Sequence, residues 1–515
     1  MKLLVVAAAI ILMASNATSS SRPTVKTEDG RVQGQRSNAV NSFYGLPYAA
    51  PPVGDSRWRA PSPADHWTGV RSATQFKPAC MQTGVSMPGE APPRTSEDCL
   101  YLNVWTPARS ASSRLPVMVF IHGGGFSNGS AAMPLYWGDR LAHKGVIVVN
   151  LGYRLGPFGF LALPELTAES EHKSSGDYGL LDQLAALGWV ERNIAAFGGD
   201  AHRVTIFGQS AGGMSVNLLL SSPLSTGLFQ RAISESGGVF EPMALAPNWL
   251  LPGAERSGKA YAASLNATSI AELRRLPASR LLEGKAGTIT HPVIDGFVLP
   301  RAPYDVFAQG RQIDVPTLIG SNDAEARSLM NPSDVTAATY AAGIRNAFGP
   351  LPAAMFDTYP HATDVEAKTA RLGFERDLRF GWDMWTWAKL QSATGKQPVF
   401  YYRFTQNPPF PTNSIYAGWG PSHFAELWYV FDHLDQEPWR WDRTDRSLAD
   451  AISSYWVNFA KTGNPNAAPL PLWPKFTEVE PNVLNLGDPL TVTHVAGLDQ
   501  LDQIDRVYKQ LRPNP

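Results

Sequence analysis

The chain lacks any excess of charge of one sign. Lys and Arg number 44 against 45 Asp and Glu, a formal net charge of -1. Such a balance gives no field to draw nucleic acid or an anionic membrane surface, so neither is expected as a partner. Long apolar runs are also missing beyond the N-terminus, and no later stretch reads as membrane-spanning. Internal repeats and low-complexity linkers are absent, which excludes solenoids and beads-on-a-string designs. One large domain with insertions fits better than two independent ones. Cysteine is scarce: only Cys80 and Cys99 occur. Two thiols at this spacing do not make a metal site, and in an exported chain an isolated pair points to a disulfide. The segment between them is rich in Pro, Gly and Thr, and closing a loop of this length contributes ~3 kcal/mol in the chain-entropy picture.

The N-terminus reads as a targeting segment. Lys2 precedes the apolar run Leu3 to Met13, which is too short to cross a bilayer comfortably. Ser15-Asn16-Ala17 supplies the small residues a signal peptidase reads. We expect a signal peptide at 1–17, a mature chain at 18–515, and a secreted or periplasmic protein. No cysteine follows the run, which argues against a lipid anchor.

What is present is a large globular chain, 44% hydrophobic and 17% charged, with 15 Trp, 23 Phe and 16 Tyr to fill a core or line an apolar gorge. Residues 117–121, 145–150, 204–209, 231–237, 315–320 and 398–404 are short, mostly unalternating apolar runs. They suit a mostly parallel sheet covered by helices on both faces. Leu100 to Trp105 alternates like a half-buried strand. Helical patterns span Tyr178 to Phe197 and Ser447 to Ala460, and 335–395 is helix-rich. Residues 242–303 read as a cap or insertion. Phe43 to Gly54 is too rich in proline for regular structure and is expected to be an extended surface segment pinned by Trp58 and Trp67. The order of strands and helices predicts an α/β fold.

The chemistry gathers at Gly208-Gln209-Ser210-Ala211-Gly212, between a strand and a helix. The glycines allow strand and helix to pack closely, and the turn pushes Ser210 out where its hydroxyl can attack. An attacking serine needs oxyanion donors, a base and an acid. His122-Gly123-Gly124-Gly125-Phe126 follows the strand at 117–121, and the N–H groups of Gly124, Gly125 and Ala211 are the expected donors. Of ten histidines, His122 belongs to that segment. His66, His143, His172, His202, His361 and His494 look like surface residues. His291 and His433 are not excluded by spacing. His423 stands out, in a glycine-rich loop after a late strand. For the acid, Glu325 follows the strand at 315–320, with Asp323 as its local rival. Nucleophile, acid, base is the chain order of α/β-hydrolases.

These motifs resemble the type-B carboxylesterases, the carboxylesterase/cholinesterase group of α/β-hydrolases. The similarity includes Phe43 to Gly54, Ser96 to Trp105, His122 to Phe126, Tyr153 to Phe160, Gly179 to Asp200, Gly208 to Gly213 and Asn458 to Pro465. The resemblance implies a large mostly parallel sheet flanked by helices, with insertions forming a gorge. It implies Ser210 as nucleophile, Glu325 as acid and His423 as base, with Gly124, Gly125 and Ala211 as the oxyanion hole. It also implies a Cys80–Cys99 disulfide and a supporting role for Ser236 behind the triad. No metal or organic cofactor is called for, and the partner is a small-molecule ester.

Three positions depart from the pattern. Gln209 stands where many members carry Glu beside the nucleophile. The loop from 81 to 98 has no tryptophan, whereas cholinesterases place their choline-binding one there. Ala326 replaces the glycine that usually follows the acid. The first two remove the charge and cation–π contacts that hold a quaternary ammonium, so neutral or anionic esters are expected. A lipase acting on longer chains is the alternative within enzymes. A non-catalytic interaction protein on an esterase scaffold is the alternative outside them. The loops at 81–98, 240–305 and 405–422 are expected to shape the gorge. Asn128-Gly129-Ser130 and Asn266-Ala267-Thr268 match the glycosylation pattern.

Overall fold

The apolar runs fold as the middle of an eleven-stranded sheet. The structure is a computed structural model and describes residues 22–85, 87–285 and 289–512. The expected leader at 1–17 lies outside the described residues. In chain order the sheet strands are β1 (Gln35–Ser37), β2 (Val40–Pro47), β3 (Tyr101–Thr106), β4 (Leu115–Ile121), β5 (Ile147–Leu151) and β6 (Gly199–Gln209). They continue with β7 (Arg231–Glu235), β8 (Thr317–Asn322), β9 (Val399–Phe404), β10 (Asn482–Leu486) and β11 (Thr491–His494). Across the sheet the order is β11-β10-β9-β8-β7-β6-β4-β5-β3-β2-β1. Every pairing from β5 through β4 and β6 to β10 is parallel. The outer pairings are antiparallel.

The absence of alternation in the central runs has a direct cause. Val117, Val119 and Ile121 of β4 enter one core, while Met118 and Phe120 enter the core on the opposite face. Both faces are dry, so every position must be apolar. One face is covered by α1 (Tyr178–Asn193) and α2 (Ala211–Ser221), which contribute Leu184, Leu187, Trp189, Val216 and Leu219. The other is covered by α3 (Arg443–Thr462), through Leu448, Ile452, Tyr455 and Trp456. Asp442 caps α3 by accepting from the Asp445 N–H at 2.9 Å, and Gly463 ends it at φ 78°.

The segment from Phe43 corrects the reading of a proline-rich surface strip. Residues 40–47 form β2, paired to β3, and Phe43, Leu46 and Tyr48 are buried. The reason is local: no proline occurs until position 47, the last of the strand, where the ladder no longer needs its N–H. Trp58 pins the turn that follows by donating to the Pro157 carbonyl at 2.7 Å, and Trp67 donates to Arg31 O at 2.9 Å. Strand β3 is also buried on both faces rather than one.

Cys80 and Cys99 are joined, closing a loop of sequence separation 19. That loop is held to the body by few regular elements, so the cross-link restricts the unfolded chain more than it adds contacts. Replacing both cysteines by serine is expected to lower the unfolding free energy by about 2–4 kcal/mol. Urea denaturation of the two proteins checks this, and coincident midpoints would contradict it.

Candidate active site

Ser210 joins β6 to α2 with φ 58° and ψ -124°. A non-glycine residue held in this region costs about 1–3 kcal/mol and persists only where its surroundings demand it. They do: the Ser210 N–H donates to Glu235 O at 2.8 Å, and the Met214 N–H donates to Ser210 O at 2.8 Å. The glycines are required by contact rather than by flexibility. A Cβ on Gly212 would lie 2.0 Å from Ile121 O, and one on Gly208 would lie 2.5 Å from the Gly212 carbonyl carbon. Strand and helix therefore meet backbone to backbone, and the serine is left half-buried at the N-terminus of α2.

The oxyanion segment sits against this turn. A Cβ on Gly123 would lie 2.7 Å from Gln209 O and 3.1 Å from Ser210 Cβ. Gly124 and Gly125 take φ of 105° and 60°, which turns the backbone back on itself. Among the described residues the N–H groups of Gly124, Gly125 and Ala211 make no hydrogen bond to the protein backbone or a side chain. His122 is buried beside them, its Nδ1 2.9 Å from Gly123 O and its ring stacked 4.6 Å from Tyr153. Burial pushes its imidazole down to about 4, so it stays neutral near pH 7.

Glu325 and His423 meet at the ends of the neighbouring strands. His423 Nδ1 lies 2.6 Å from Glu325 Oε2. The other carboxylate oxygen accepts from Ser236 Oγ at 2.5 Å and from the Asn322 N–H at 2.7 Å. Glu325 is fully enclosed, so these donors replace its lost hydration. Phe380 stacks on the His423 ring at 4.5 Å, which fixes the plane of the imidazole. The amide Nε2 of Gln209 lies 3.3 Å from His423 Nε2, which brings the ring to the residue before Ser210. Ser210 Oγ and His423 form no hydrogen bond among the described residues.

The rival side chains are accounted for elsewhere. Asp323 pairs with Arg403. His433 is buried between Leu135 O and Asp139. His291 stacks on Trp249 at 4.8 Å. Of the six histidines read as surface residues, only His361 is half-buried, stacked on Tyr340. Phe380 and Asn322 had no assigned role in the sequence. Phe380 lies in a π-helical turn at Asp377–Gly381 between two α-helices, a local widening that often marks a site but that no sequence motif announces.

Beside the Ser210, Glu325 and His423 cluster lies a cavity of about 280 Å³ lined by Met214, Val239, Glu241, Phe380 and Asp383, among others. Burial raises the Glu241 and Asp383 carboxyls, and for Asp383 the neighbouring Glu241 raises it further. Residues 238–249 thus border the site as expected of the gorge. The later part of the insertion does not: Asp295 and Phe297 line a separate cavity of about 540 Å³ with Trp58 and Tyr178. The loops at 81–98 and 405–422 meet each other, Tyr416 donating to Pro88 O at 2.6 Å.

A strained serine between a parallel strand and a helix, with a carboxylate and a histidine on the following strand ends, defines an α/β-hydrolase. The comparisons narrow this further. A profile described as the carboxylesterase family matches residues 21–504. The fumonisin B1 esterase of Sphingopyxis macrogoltabida is 39% identical over 468 residues, covering 87% of this chain and 84% of its own length. The para-nitrobenzyl esterase of Bacillus subtilis (strain 168) is 37% identical over 485 residues, covering 91% and 95%. A solved PNB esterase structure superposes with a TM-score of 0.81 at 35% identity, over 94% of this chain and all of the other. The chain belongs to the carboxylesterase family and is a carboxylic ester hydrolase.

Ser236 has no role visible outside its hydrogen bond to Glu325, and it is fully buried. Removing a donor to a buried carboxylate costs about 1.5–3 kcal/mol. Ser236→Ala is therefore expected to lower kcat for a p-nitrophenyl ester by roughly tenfold to a hundredfold with little change in KM. Steady-state kinetics decide it, and an unchanged kcat would contradict the role.

Proposed function

We propose that the enzyme is a serine hydrolase that cleaves esters through an acyl-enzyme on Ser210, with His423 as base and Glu325 as acid. The observation that carries the reading is the 2.6 Å contact of Glu325 with His423 Nδ1, beside a serine held at positive φ. A carboxylate on Nδ1 fixes the tautomer that leaves Nε2 free as a base. His423 takes the Ser210 proton as Oγ attacks the ester carbonyl. The N–H groups of Gly124, Gly125 and Ala211 stabilise the tetrahedral oxyanion, helped by the N-terminal dipole of α2. His423 then protonates the leaving alcohol. Water, deprotonated by the same histidine, releases the acid. The Ser210–His423 hydrogen bond closes when substrate is bound, as catalytic contacts in free enzymes commonly do.

The substrates we propose are neutral or anionic small esters. Gln209 brings no charge to the nucleophile, and residues 81–98 contain no tryptophan for a cation to stack on. Burial holds Glu241 and Asp383 in the adjoining cavity toward their uncharged forms, so that wall offers a cation little. Fumonisin B1 and p-nitrobenzyl esters, named by the relatives, are the first compounds to assay. We further propose a single domain at 18–515 and export after removal of residues 1–17. The Cys80–Cys99 disulfide supports export, since such bonds persist in oxidising compartments.

Ser210→Ala is expected to lower kcat for p-nitrophenyl acetate by at least about 10⁴-fold. Activity within tenfold of the wild type would overturn the serine mechanism. For charge, a neutral thioester similar in size to acetylthiocholine is expected to give the higher kcat/KM. Preference for the cation would reject that part alone.

A further inference from the structure

Behind Glu325 lie two more glutamates that the ester chemistry does not use. Glu235 ends β7, and Glu426 lies in the turn after His423. Both are 0% exposed. Each has one satisfied oxygen: Glu235 Oε1 accepts from Trp456 Nε1 at 2.7 Å, and Glu426 Oε2 accepts from Asn322 Nδ2. The other oxygens, Glu235 Oε2 and Glu426 Oε1, have no partner among the described residues. The Tyr402 hydroxyl, equally buried, has none either.

The sheet brings these groups together. Glu235 pairs with Gly320 across the ladder, and Gly320 pairs with Tyr402. Because position 320 has no side chain, the Tyr402 ring lies over it; a Cβ there would be 2.4 Å from Tyr402 Cδ1. Glu235, Glu426 and Glu325 all act electrostatically on Tyr402, and Glu235 and Glu325 both act on Glu426. Arg376, a cation that feels Glu325, is already paired with Asp377 at 2.7 Å. Two buried carboxylates with no cation between them repel strongly in a low-dielectric interior. One proton between them turns repulsion into a hydrogen bond, the O–H of one donating to the other.

We propose that Glu235 and Glu426 share one proton, and that this singly charged pair positions the Glu325–His423 couple through Asn322. Asn322 is the connecting piece. Its N–H donates to Glu325 Oε1 at 2.7 Å, and its Nδ2 donates both to Glu426 and, at 2.7 Å, to Ser422 O, the residue before His423. One residue thus holds the acid through its backbone N–H, and the loop of the base and Glu426 through its side-chain amide. Burial pushes Glu235 up to about 8, and burial together with Glu235 and Glu325 raises Glu426, directions that agree with a retained proton. The positioning role rests on reading Glu325 and His423 as acid and base; the shared proton does not.

The first test is thermal stability against pH for the full chain and its Glu235→Gln variant. The unfolded glutamates release their protons above about pH 4, while the folded pair keeps one. The wild type therefore loses this contribution as pH rises, until Glu235, pushed up to about 8, gives up its proton, and no further above it. The Tm of Glu235→Gln relative to wild type is expected to climb from about pH 5 to about pH 8 and then level. A constant difference would overturn the shared proton. Infrared spectroscopy gives an independent reading: because Glu241 and Asp383 are also held toward their uncharged forms, the wild-type minus Glu235→Gln difference spectrum is the one read, and it should carry the carbonyl stretch of an un-ionised carboxyl at neutral pH and lose it as pH rises; its absence would also overturn the proposal. For positioning, Glu235→Leu should lower kcat by roughly tenfold with little change in KM, and Glu235→Gln should recover most of that loss. Equal losses in both variants, or none in either, would sink the link to the triad. Should Ser210→Ala stay active, the triad reading fails while the Tm and infrared results still judge the proton.

Discussion

The site depends on one close approach, between the end of β6 and the first turn of α2. Gly208 and Gly212 let the two backbones touch each other and Ile121 at the end of β4. That contact fixes Ser210 at positive φ, and the rest of the site takes its place from the same sheet. Ile121, Gln209, Glu235 and Asn322 are the last residues of β4, β6, β7 and β8, strands adjacent in the sheet. The oxyanion segment, Ser210, Ser236 and Glu325 each follow one of those ends. The loop that carries His423 follows β9. Parallel strands thus deliver every element to one edge, as open α/β sheets do for their ligands.

Burial then decides which groups carry charge. Glu325 is enclosed but accepts from Ser236 and Asn322 and meets His423 Nδ1, contacts that replace its lost hydration. His122 is enclosed with only a neighbouring carbonyl, and it stays neutral. Glu241 and Asp383 line a cavity that Arg379 also lines, and burial outweighs the pull of Arg512 on Asp383, so both carboxyls are raised toward the uncharged state. Burial thus leaves one neutral imidazole and two side-cavity carboxyls shifted toward their uncharged forms.

Much of this was legible in the sequence because each functional residue follows an apolar strand. Ser210, Glu325 and the glycines at 124 and 125 all lie within a few positions of such a run, and unbroken apolar character alone locates the runs. His423 was legible because its loop is glycine-rich and falls after the last parallel strand of the apolar set. What escaped depended on contacts between distant segments. Phe380 reaches His423 from a helix with no local motif. The closeness of Glu235 to Tyr402 follows from sheet register, with Gly320 opening the space between strands, while Glu426 comes from the turn after His423. Phe43 to Pro47 was misread because the prolines after it were allowed to speak for the strand before them.

The central claim is that Ser210 Oγ is the atom that becomes acylated. Incubation with a fluorophosphonate, followed by digestion and mass spectrometry, tests this most directly. The account predicts one phosphonyl group, on the peptide containing Gly208 to Gly213 and at Ser210, with esterase activity lost in proportion to labelling. A label on any other residue, or full activity after stoichiometric labelling of Ser210, would contradict it.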